Sequence, residues 1–469
     1  MRRCSCAALV GLVLALGAGP RRARAEEPPP APGAPGDLRA ELARQAEALA
    51  RQQAELDRLR QRVARLDVED DAADEAAQAP AQEPALAWNE LEAGGLRLRL
   101  YGFLRADAIY DESRMNDPRN PIFVRSEDPT APPGVGARKD RGGFIVHPRA
   151  TRLGLAAEGP PLEALGGAEP EGRVEVDFFG PGFSESREAL RLRLAYVTLA
   201  WGDLTLLLGQ DWDVISPLRP TINVAQGGDL WGAGNLGDRR PQARLRWTPE
   251  VGPGRLSLEV AAGMTGVIDG RDLDPPGSPG AGILDGESAR VPGLQARAGY
   301  RVPLWTGGEL CLGAWAWGAW ERPDRATPGR RDYAGWVAGG DLELVVIERR
   351  LWVRAEAWGG DLLDDVRGAV LQGIDPTTGR TIRARGGWVE LAVAPLEPYT
   401  VILGGAVDDP FDGDLPRTGR AANRVVYLAQ RLRVGPLELG LDLEHWETRY
   451  VGLRAGRNER VMGYAALVF

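Results

Sequence analysis

The chain has few of the residues on which catalysis, metal binding and covalent cross-linking usually depend. Its 469 residues include 3 cysteines and 2 histidines. Cys4 and Cys6 fall in a predicted leader, so Cys311 is the only cysteine expected in the mature chain, and an intrachain disulfide is excluded. Nucleophilic hydrolysis usually needs a base beside its nucleophile, and His147 and His445 are the only histidines. We therefore expect no enzymatic activity, no cofactor and no bound metal.

The chain also lacks an apolar run long enough to cross a bilayer as a helix, which needs about 20 residues. The run at residues 7–18 is too short, follows Met1-Arg2-Arg3 and precedes Ala23-Arg24-Ala25. A charged start, a short apolar stretch and a small-residue cleavage pattern predict a secretory signal peptide over residues 1–25. The net charge of -9 favours neither nucleic acid nor an acidic membrane surface as a partner.

A seven-residue repeat follows a Pro-rich spacer at residues 26–36. From residue 37 to 67, apolar residues recur at two heptad positions, with Gln45 and Gln52 interrupting the second: Leu42, Leu49, Leu56 and Val63, then Leu38, Leu59 and Leu66. This pattern predicts a short α-helical coiled coil, whose apolar seam requires a partner helix. A solvated single helix is the alternative, and the heptads do not distinguish a dimer from a trimer. Residues 68–94, which begin acidic and rich in alanine, are predicted to be a flexible linker.

From residue 95 to 469 the period of the pattern changes from seven to two. On the first segment, apolar side chains alternate with Arg97, Arg99, Arg105 and Asp107. Similar segments follow near residues 144–157, 173–179, 189–200, 204–213, 242–248, 255–265, 294–302, 309–321, 333–347, 351–360, 381–394, 399–407, 422–434, 437–450 and 460–469, the last ending at Phe469. A soluble sandwich would also bury one apolar face. The number of segments instead predicts an all-β fold, a transmembrane antiparallel β-barrel of about 16 strands preceded by the coiled coil.

The connections alternate between short turns and long loops. Tight turns are predicted at Gly202, at Gly435-Pro436 and at residues 348–350 and 395–398, and long loops at residues 111–142, 214–241, 266–292, 361–380 and 408–420. Short turns on one rim and long outer loops on the other are typical of outer-membrane barrels, although the connection 158–172 breaks the rule. Aromatic residues at strand ends predict an interfacial girdle: Trp201, Trp247, Trp305, Trp352 and Tyr399. Four acids are interpreted as solvated loop residues rather than a calcium site: Asp408, Asp409, Asp412 and Asp414.

When one parity of each strand faces lipid, the other parity lines the lumen. The predicted lumen-facing residues are Arg97, Arg99, Arg105, Asp107, Arg152, Glu175, Asp177, Arg191, Arg193, Arg244 and Arg246. They predict a basic wall on the early strands, opposite the acids Glu438, Asp442 and Glu444 of a late strand. Guanidinium groups attract anions and bind carboxylate or phosphate through paired hydrogen bonds. The alternative is that any water-filled lumen is polar, and arginine is almost the only basic residue type in this chain.

Four short motifs resemble the DcaP-like trimeric porins: Gly102-Phe103-Leu104-Arg105-Ala106-Asp107, Pro148-Arg149-Ala150-Thr151-Arg152-Leu153-Gly154, Gly209-Gln210-Asp211-Trp212, and Arg240-Pro241-Gln242 with Arg244. The resemblance is best in the coiled coil and the first half of the barrel. It implies a periplasmic coiled coil joined to a sixteen-stranded barrel, a homotrimer, and uptake of small anions such as dicarboxylates. In sixteen-stranded porins the loop between the fifth and sixth strands folds into the lumen. Trp231, Arg239 and Arg240 are therefore candidate constriction residues, and an ordinary surface loop is the alternative.

The favoured prediction is an outer-membrane porin for passive diffusion of small hydrophilic solutes, with a preference for anions. Its expected partners are outer-membrane lipid and lipopolysaccharide, other copies of the chain, and small anionic solutes. The expected location is the outer membrane of a Gram-negative-type bacterium, with the coiled coil in the periplasm. One alternative is a structural protein whose coiled coil tethers the membrane to the cell wall, although an anchor needs only about eight strands. An outer-membrane barrel enzyme is the least favoured alternative.

Overall fold

The computed structural model of the protein describes residues 89–469, except residues 139, 185–186, 223–229, 271–282, 323–331 and 376. The predicted signal peptide, Pro-rich spacer and coiled coil, with all but the end of the linker, lie outside the described residues. Within the part of the chain that the structure describes, no helix is long and apolar enough to cross a bilayer.

The described residues form one antiparallel sheet of nineteen strands. The strands are β1 (Glu90–Ala93), β2 (Leu96–Asp111), β3 (Gly143–His147), β4 (Arg152–Glu158), β5 (Glu169–Ser184), β6 (Arg187–Trp201), β7 (Leu204–Trp212), β8 (Arg239–Trp247), β9 (Glu250–Val251), β10 (Gly254–Gly263), β11 (Gly293–Trp305), β12 (Gly308–Glu321), β13 (Tyr333–Ile347), β14 (Leu351–Asp361), β15 (Arg383–Leu396), β16 (Tyr399–Pro410), β17 (Arg420–Val434), β18 (Leu437–Tyr450) and β19 (Leu453–Val468). Helical structure is limited to one α-helical turn at Asp285–Ser288 and 3-10 turns at Glu163–Leu165, Asp364–Val366 and Asp412–Asp414 among these residues. Counting β3 with β4 as one strand, and leaving out the short β1 and β9, gives sixteen wall strands, which confirms the predicted barrel.

The sheet closes where β19 pairs with β2. Beyond the last strand residue, the Phe469 N–H donates to the Gly102 carbonyl at 2.9 Å, and the Gly102 N–H donates to the Phe469 carbonyl at 3.0 Å. Further along the same edge of β2, β1 takes over and pairs with residues 96–99. This edge of β2 is therefore covered along its length, first by the chain end and then by β1, and leaves no row of unpaired backbone groups.

The two faces of the wall are inverted relative to a soluble protein. On β2, Leu100 and Leu104 are exposed, whereas Phe103 and Asp107 are buried. The same alternation of exposed leucine or valine with buried charge recurs on the later strands, as on β18. Buried charged residues contact loop segments inside the barrel, so the exposed apolar face is the outer one and suits lipid.

The two rims differ in the length of most of their connections, as predicted, with the two-residue turn at 451–452 as an exception on the loop rim. The terminal rim holds the short turns and both ends of the barrel, and the loop rim holds eight connections. The second of them joins β5 to β6, and the others are L1 (112–142), L3 (213–238), L4 (264–292), L5 (322–332), L6 (362–382), L7 (411–419) and L8 (451–452). The connection predicted over residues 158–172 is shorter, at residues 159–168, because β5 begins at Glu169.

Two local predictions were wrong. The predicted strand 144–157 is interrupted at residues 148–151, where the Thr151 hydroxyl accepts from the Arg105 N–H at 3.0 Å and donates to the Arg105 carbonyl at 3.1 Å. At this point the Thr151 side chain takes the place of the backbone hydrogen bonds between the two strands. The alternation of apolar and polar residues in the sequence does not reveal such an interruption. Trp352, predicted for the outer girdle, faces inward and packs against a buried cluster that contains Trp388.

Candidate functional site

The inner wall has two chemically different sides. On the strands from β2 to β8, here called the arginine side, six of the predicted lumen-facing arginines form ion pairs along the wall: Arg105, Arg152, Arg191, Arg193, Arg244 and Arg246. On the strands from β12 to β18, here called the tryptophan side, five tryptophans are buried: Trp315, Trp317, Trp358, Trp388 and Trp446. Three loops fold inward against the tryptophan side.

L3 leaves β7 on the arginine side and descends along the tryptophan side. The Leu218 N–H donates to Glu356 of β14 at 2.8 Å, and the Ser216 hydroxyl donates to the same carboxylate. Further along, the Thr221 N–H and hydroxyl donate to Glu390 of β15 at 2.8 and 2.5 Å. Each acid accepts two hydrogen bonds from L3, so two buried acids hold this limb of L3 across the lumen.

The returning limb of L3 is held by two of the tryptophans. The Trp358 indole N–H donates to the Gly234 carbonyl at 2.7 Å, and the Trp388 indole N–H donates to the Asn235 side-chain oxygen at 3.1 Å. Gly234 has a φ of +134°, and a Cβ there would lie 2.4 Å from the Gly387 carbonyl of β15. Only glycine permits this close approach of L3 to the wall.

L1 and L6 complete the packing. Leu218 and Leu230 of L3 and Val124 of L1 lie in one apolar cluster with Trp388 and Trp446. A second cluster joins L3 and L6 to the wall around Trp315, Trp317 and Trp358. Each fully buried leucine or valine stabilises such a cluster by about 1.5–3 kcal/mol relative to exposure. The loops therefore fill the tryptophan side of the lumen as a hydrophobic core.

Arg240, at the start of β8, ties L3, L4 and L6 together. Its guanidinium donates to both carboxylate oxygens of Asp213, to the Asp365 carboxylate and carbonyl, and to the Met264 carbonyl, at 2.5–2.9 Å. All five N–H donors of the arginine are occupied by these acceptors. Arg240 is only 1% exposed. Arg240 was predicted to be a constriction residue. In the structure it links the bases of three loops, and none of its N–H groups is left to bind a solute.

A second ion pair joins L3 to L6. Arg367 of L6 donates to Asp238 of L3 at 2.6 Å and lies over the Trp231 ring, 4.6 Å from its centroid. Burial disfavours the ionised carboxylate, but the charges of Arg367 and Arg239 outweigh burial and hold the pKa of Asp238 at about 2. The contact between L3 and L6 is therefore charged at any ordinary pH.

Three guanidinium groups converge on Trp212, where β7 ends and L3 begins. Arg219 of L3 lies 3.1 Å from the centroid of the ring, Arg239 of β8 lies 4.6 Å from it, and Arg193 of β6 lies 5.8 Å from it. We call these four residues the eyelet. L3 thus presents a basic residue toward the arginine side at the point where it enters the lumen, and cation–π contact holds the groups together.

The predicted lumen-facing arginines do not form a continuous basic wall. Their carboxylate partners on the arginine side are Asp107 for Arg105, Glu175 for Arg152, Asp177 for Arg191, Glu175 and Asp177 for Arg193, Asp211 for Arg244, and Glu259 for Arg246. At the terminal rim, Arg97 pairs with Glu92 at 2.9 Å, and Arg99 is exposed. Arg191 and Arg246 have the most accessible side chains of the six, each 24% exposed.

The predicted opposition of a basic side to an acidic side is also not found. Asp442 of β18 pairs with Arg431 at 2.5 Å, and Glu444 lies 3.8 Å from Arg460. Charges of both signs therefore alternate on both sides of the lumen. The difference between the sides lies in apolar packing rather than in the sign of the charge.

The other predicted constriction residues lie near the eyelet. Trp231 of L3 is 1% exposed and packs against Trp212, so it supports the eyelet from behind. Arg239 belongs to β8 rather than to the loop and contacts the Trp212 ring. Their roles in solute passage remain predictions.

The four loop-rim acids do not converge. Asp408 faces inward and accepts from the Val370 N–H at 3.0 Å, whereas Asp409 faces outward and pairs with Arg385. Asp414 pairs with Arg383 at 2.7 Å. A different group, Asp269, Glu321 and Asp364, has carboxylate oxygens within 4.8 Å of one another near the loop rim. Proximity of acids alone does not identify a cation site.

Comparison with solved structures finds outer-membrane channels. The outer membrane channel DcaP of Acinetobacter baumannii matches with a TM-score of 0.60 and 18% sequence identity, over 81% of this chain and 99% of that chain. Salmonella typhi OmpF in complex with daunomycin matches with a TM-score of 0.50 and 11% identity, over 81% of this chain and 100% of that chain. No protein-family model and no curated protein matches the sequence. The predicted resemblance to the DcaP-like barrel is thus confirmed as a likeness of fold.

Sequence reasoning missed Arg219, Glu356 and Glu390. Signals for them were present. Glu356 and Glu390 each stand two residues from a tryptophan on the same parity of their strands, and Arg219 stands between Pro217 and Pro220 in a stiff stretch of loop. Acids at inward positions beside tryptophan mark where an inward-folded loop is anchored.

Proposed function

We propose that the protein is an outer-membrane porin through which small hydrophilic solutes diffuse passively. A closed barrel of sixteen wall strands is wide enough to leave an aqueous channel. Its outer face is apolar, as a bilayer requires. The observation that carries the proposal is the position of L3. Buried hydrogen bonds to Glu356 and Glu390 hold this loop across the lumen, where it would narrow the channel.

A preference for anions such as dicarboxylates extends this proposal. At the eyelet, Arg219 of L3 lies beside Arg193 and Arg239 of the wall. Guanidinium groups bind carboxylates through paired hydrogen bonds, and rings of arginine favour anions in pores. The neighbouring acids Asp177 and Glu175 lower the net charge, so we expect a moderate rather than an absolute preference.

Location and assembly belong to the same proposal. The terminal rim would face the periplasm, together with the predicted coiled coil at residues 37–67, and the loop rim would face outward. The predicted homotrimer agrees with the self-association that the heptads require. Lipid and lipopolysaccharide would surround the outer face.

Single-channel recording in planar bilayers tests the proposal. We expect conductance in steps grouped by three and a reversal potential, under a salt gradient, that reports anion preference. Arg219→Gln should lower the anion-to-cation permeability ratio by about fivefold, because a unit charge at about 4 Å in water is worth about 1 kcal/mol. Arg385→Gln, which changes an outward-facing arginine, is the matched control and should leave the ratio unchanged.

Two results would contradict the proposal at different levels. A correctly folded barrel that does not conduct would overturn the porin function and favour a structural tether. A conducting barrel with cation preference, or with equal ratios for the Arg219 variant and wild type, would overturn the anion preference alone.

A further inference from the structure

The outer face of β17–β19 changes from apolar to charged residues near the loop rim. A hydrogen-bonded row running from β17 across β18 and β19 to β2 consists of Leu428, Leu443, Val461 and Tyr110. The next outward row toward the loop rim contains His445 and Glu459, whose side chains lie 2.6 Å apart. Because tyrosine favours the membrane interface, the row with Tyr110 marks the upper end of the apolar belt. Charged residues above it lie at the level of lipid headgroups.

Three outward arginines stand immediately above this boundary. Arg424 of β17, Glu447 of β18 and Arg457 of β19 are cross-strand neighbours, and Arg449 follows Glu447 by two residues on the same face. Arg457 donates to Glu447 at 2.8 Å, and Arg449 lies 4.0 Å from it. The Arg424 guanidinium makes no hydrogen bond to any residue that the structure describes. We call these three arginines the outer triad.

The outer triad has three guanidinium groups within reach of a single carboxylate, that of Glu447. Besides Glu447, two acids lie on its border: Glu127 of L1 accepts from the Arg457 backbone N–H at 3.2 Å, and Glu459 pairs with His445. By contrast, Arg383 and Arg385 on β15 also face outward near this rim, but each has its own carboxylate, Asp414 and Asp409. The cross-strand neighbour of Arg424 on β16 is Val407, so the row of charged residues does not continue onto β16. The three guanidinium groups of the outer triad thus share one wall carboxylate, that of Glu447.

We propose that Arg424, Arg449 and Arg457 bind the phosphate of a phosphorylated glycolipid in the outer leaflet. The inference rests on the proposed outer-membrane location, in which the loop rim lies in that leaflet. Outward charges are costly in hydrocarbon but nearly neutral at the interface, where a phosphate supplies the missing counter-charge. A planar guanidinium offers two parallel N–H donors to phosphate oxygens. L8 is only a two-residue turn, at residues 451–452, and does not cover the triad.

The test is a lipid titration of the full-length protein in mild detergent, read by native mass spectrometry. The probes are diphosphoryl lipid A, its dephosphorylated form and phosphatidylglycerol. Exchanging all three arginines for glutamine should weaken lipid A binding by at least about tenfold, because it removes the charge-assisted hydrogen bonds to phosphate. The double variant Arg383→Gln with Arg385→Gln is the matched control and should bind as wild type does.

Glu447→Gln distinguishes a binding role from a merely structural one. Removing the carboxylate that competes with phosphate should strengthen lipid A binding, whereas damage to the wall would weaken it. The proposal is overturned if the triple variant binds like wild type, if the β15 control loses as much affinity, or if Glu447→Gln weakens binding. Equal affinity for dephosphorylated lipid A or for phosphatidylglycerol would also overturn it. Conductance of the same samples reports the porin function separately, so the two failures are distinguishable.

Discussion

The two sides of the lumen are built from the same kind of strand but differ in what their inward side chains contact. The tryptophan side buries its inward residues under L1, L3 and L6 and resembles the core of a soluble protein. On the arginine side most ion pairs are also buried, as at Arg193 and Arg244, but Arg191 and Arg246 retain accessible side chains. One side therefore holds L3 in place, and under the proposed porin function the other side contacts the solutes that pass.

This division explains why the acids of the two sides differ in role. Glu356 and Glu390 accept from L3 and are positioning residues. Asp177 and Glu175 accept from arginines of neighbouring strands and set the local charge. Mutations on the tryptophan side should change stability and conductance noise, whereas mutations on the arginine side should change selectivity. Four predictions test this comparison, from the largest expected effect to the smallest.

Trp388→Ala should give the largest loss of stability. Trp388 is buried among residues of L1 and L3 and donates to Asn235. Removing such a side chain costs about 3–5 kcal/mol of unfolding free energy. Urea unfolding of the refolded barrel measures the loss, and L3 should become sensitive to protease. Trp320→Ala on the outer face is the control. An equal loss in both variants would break the comparison.

The pair between Asp238 and Arg367 should make stability depend on pH only under strong acid. The pKa of Asp238 is about 2 in the folded protein and 3.8 ordinarily. Its stabilisation is therefore complete above pH 4 and is lost as the pH falls through about 2, with a size of about 2 kcal/mol. Unfolding curves between pH 2 and 5 measure this, and Asp238→Asn should flatten them. An unchanged slope in that variant would show that other acids carry the dependence.

Thr221→Val should cost about 2 kcal/mol, because the lost hydroxyl donates to Glu390 and accepts from Arg354, and each hydrogen bond is usually worth about 1 kcal/mol. Glu390 keeps Arg354 and Tyr427 as partners, so the wall stays intact while L3 loses one anchor. We expect noisier single-channel current at unchanged ion selectivity. Thr205→Val, on β7 of the arginine side, serves as the comparison and should leave the noise unchanged. Altered selectivity in the Thr221 variant would mean that this anchor also contacts solutes.

Arg385→Gln should have the smallest effect, within about 1 kcal/mol, because exposed ion pairs contribute little. Its partner Asp409 is also solvent-accessible, and neither faces the lumen. Thermal unfolding, conductance and permeability ratio should all match wild type. A clear change in permeability would show that charge outside the lumen controls selection.

The period-two alternation predicted the barrel and most of its strands because facing lipid imposes one rule on every wall residue. The same rule does not reach the loops. Asn423 donates to the Ile122 carbonyl across 301 residues of sequence, and no local pattern encodes such a contact. The inward folding of L1 and L6 was therefore not predicted, whereas that of L3 followed from its place in the order of strands.

The ion pairs were beyond prediction for another reason. Parity assigns a residue to a face, but the register between strands decides which charges meet. Arg193 reaches both Glu175 and Asp177 because a bulge shifts β5 against β6 at this point. When each strand is considered alone, its arginines predict a basic wall. In the assembled sheet the same arginines are paired with carboxylates of neighbouring strands.

The pairing that closes the barrel affects the order in which the protein folds. β2 is made early and β19 last, yet each is the other's neighbour. Until Phe469 meets Gly102, both strands are open edges, and such edges recruit strands from other chains. Contacts this distant in sequence also form late, because long loop closure must precede them. We therefore expect aggregation to compete with the closure of the barrel, and to compete more strongly as the protein concentration rises.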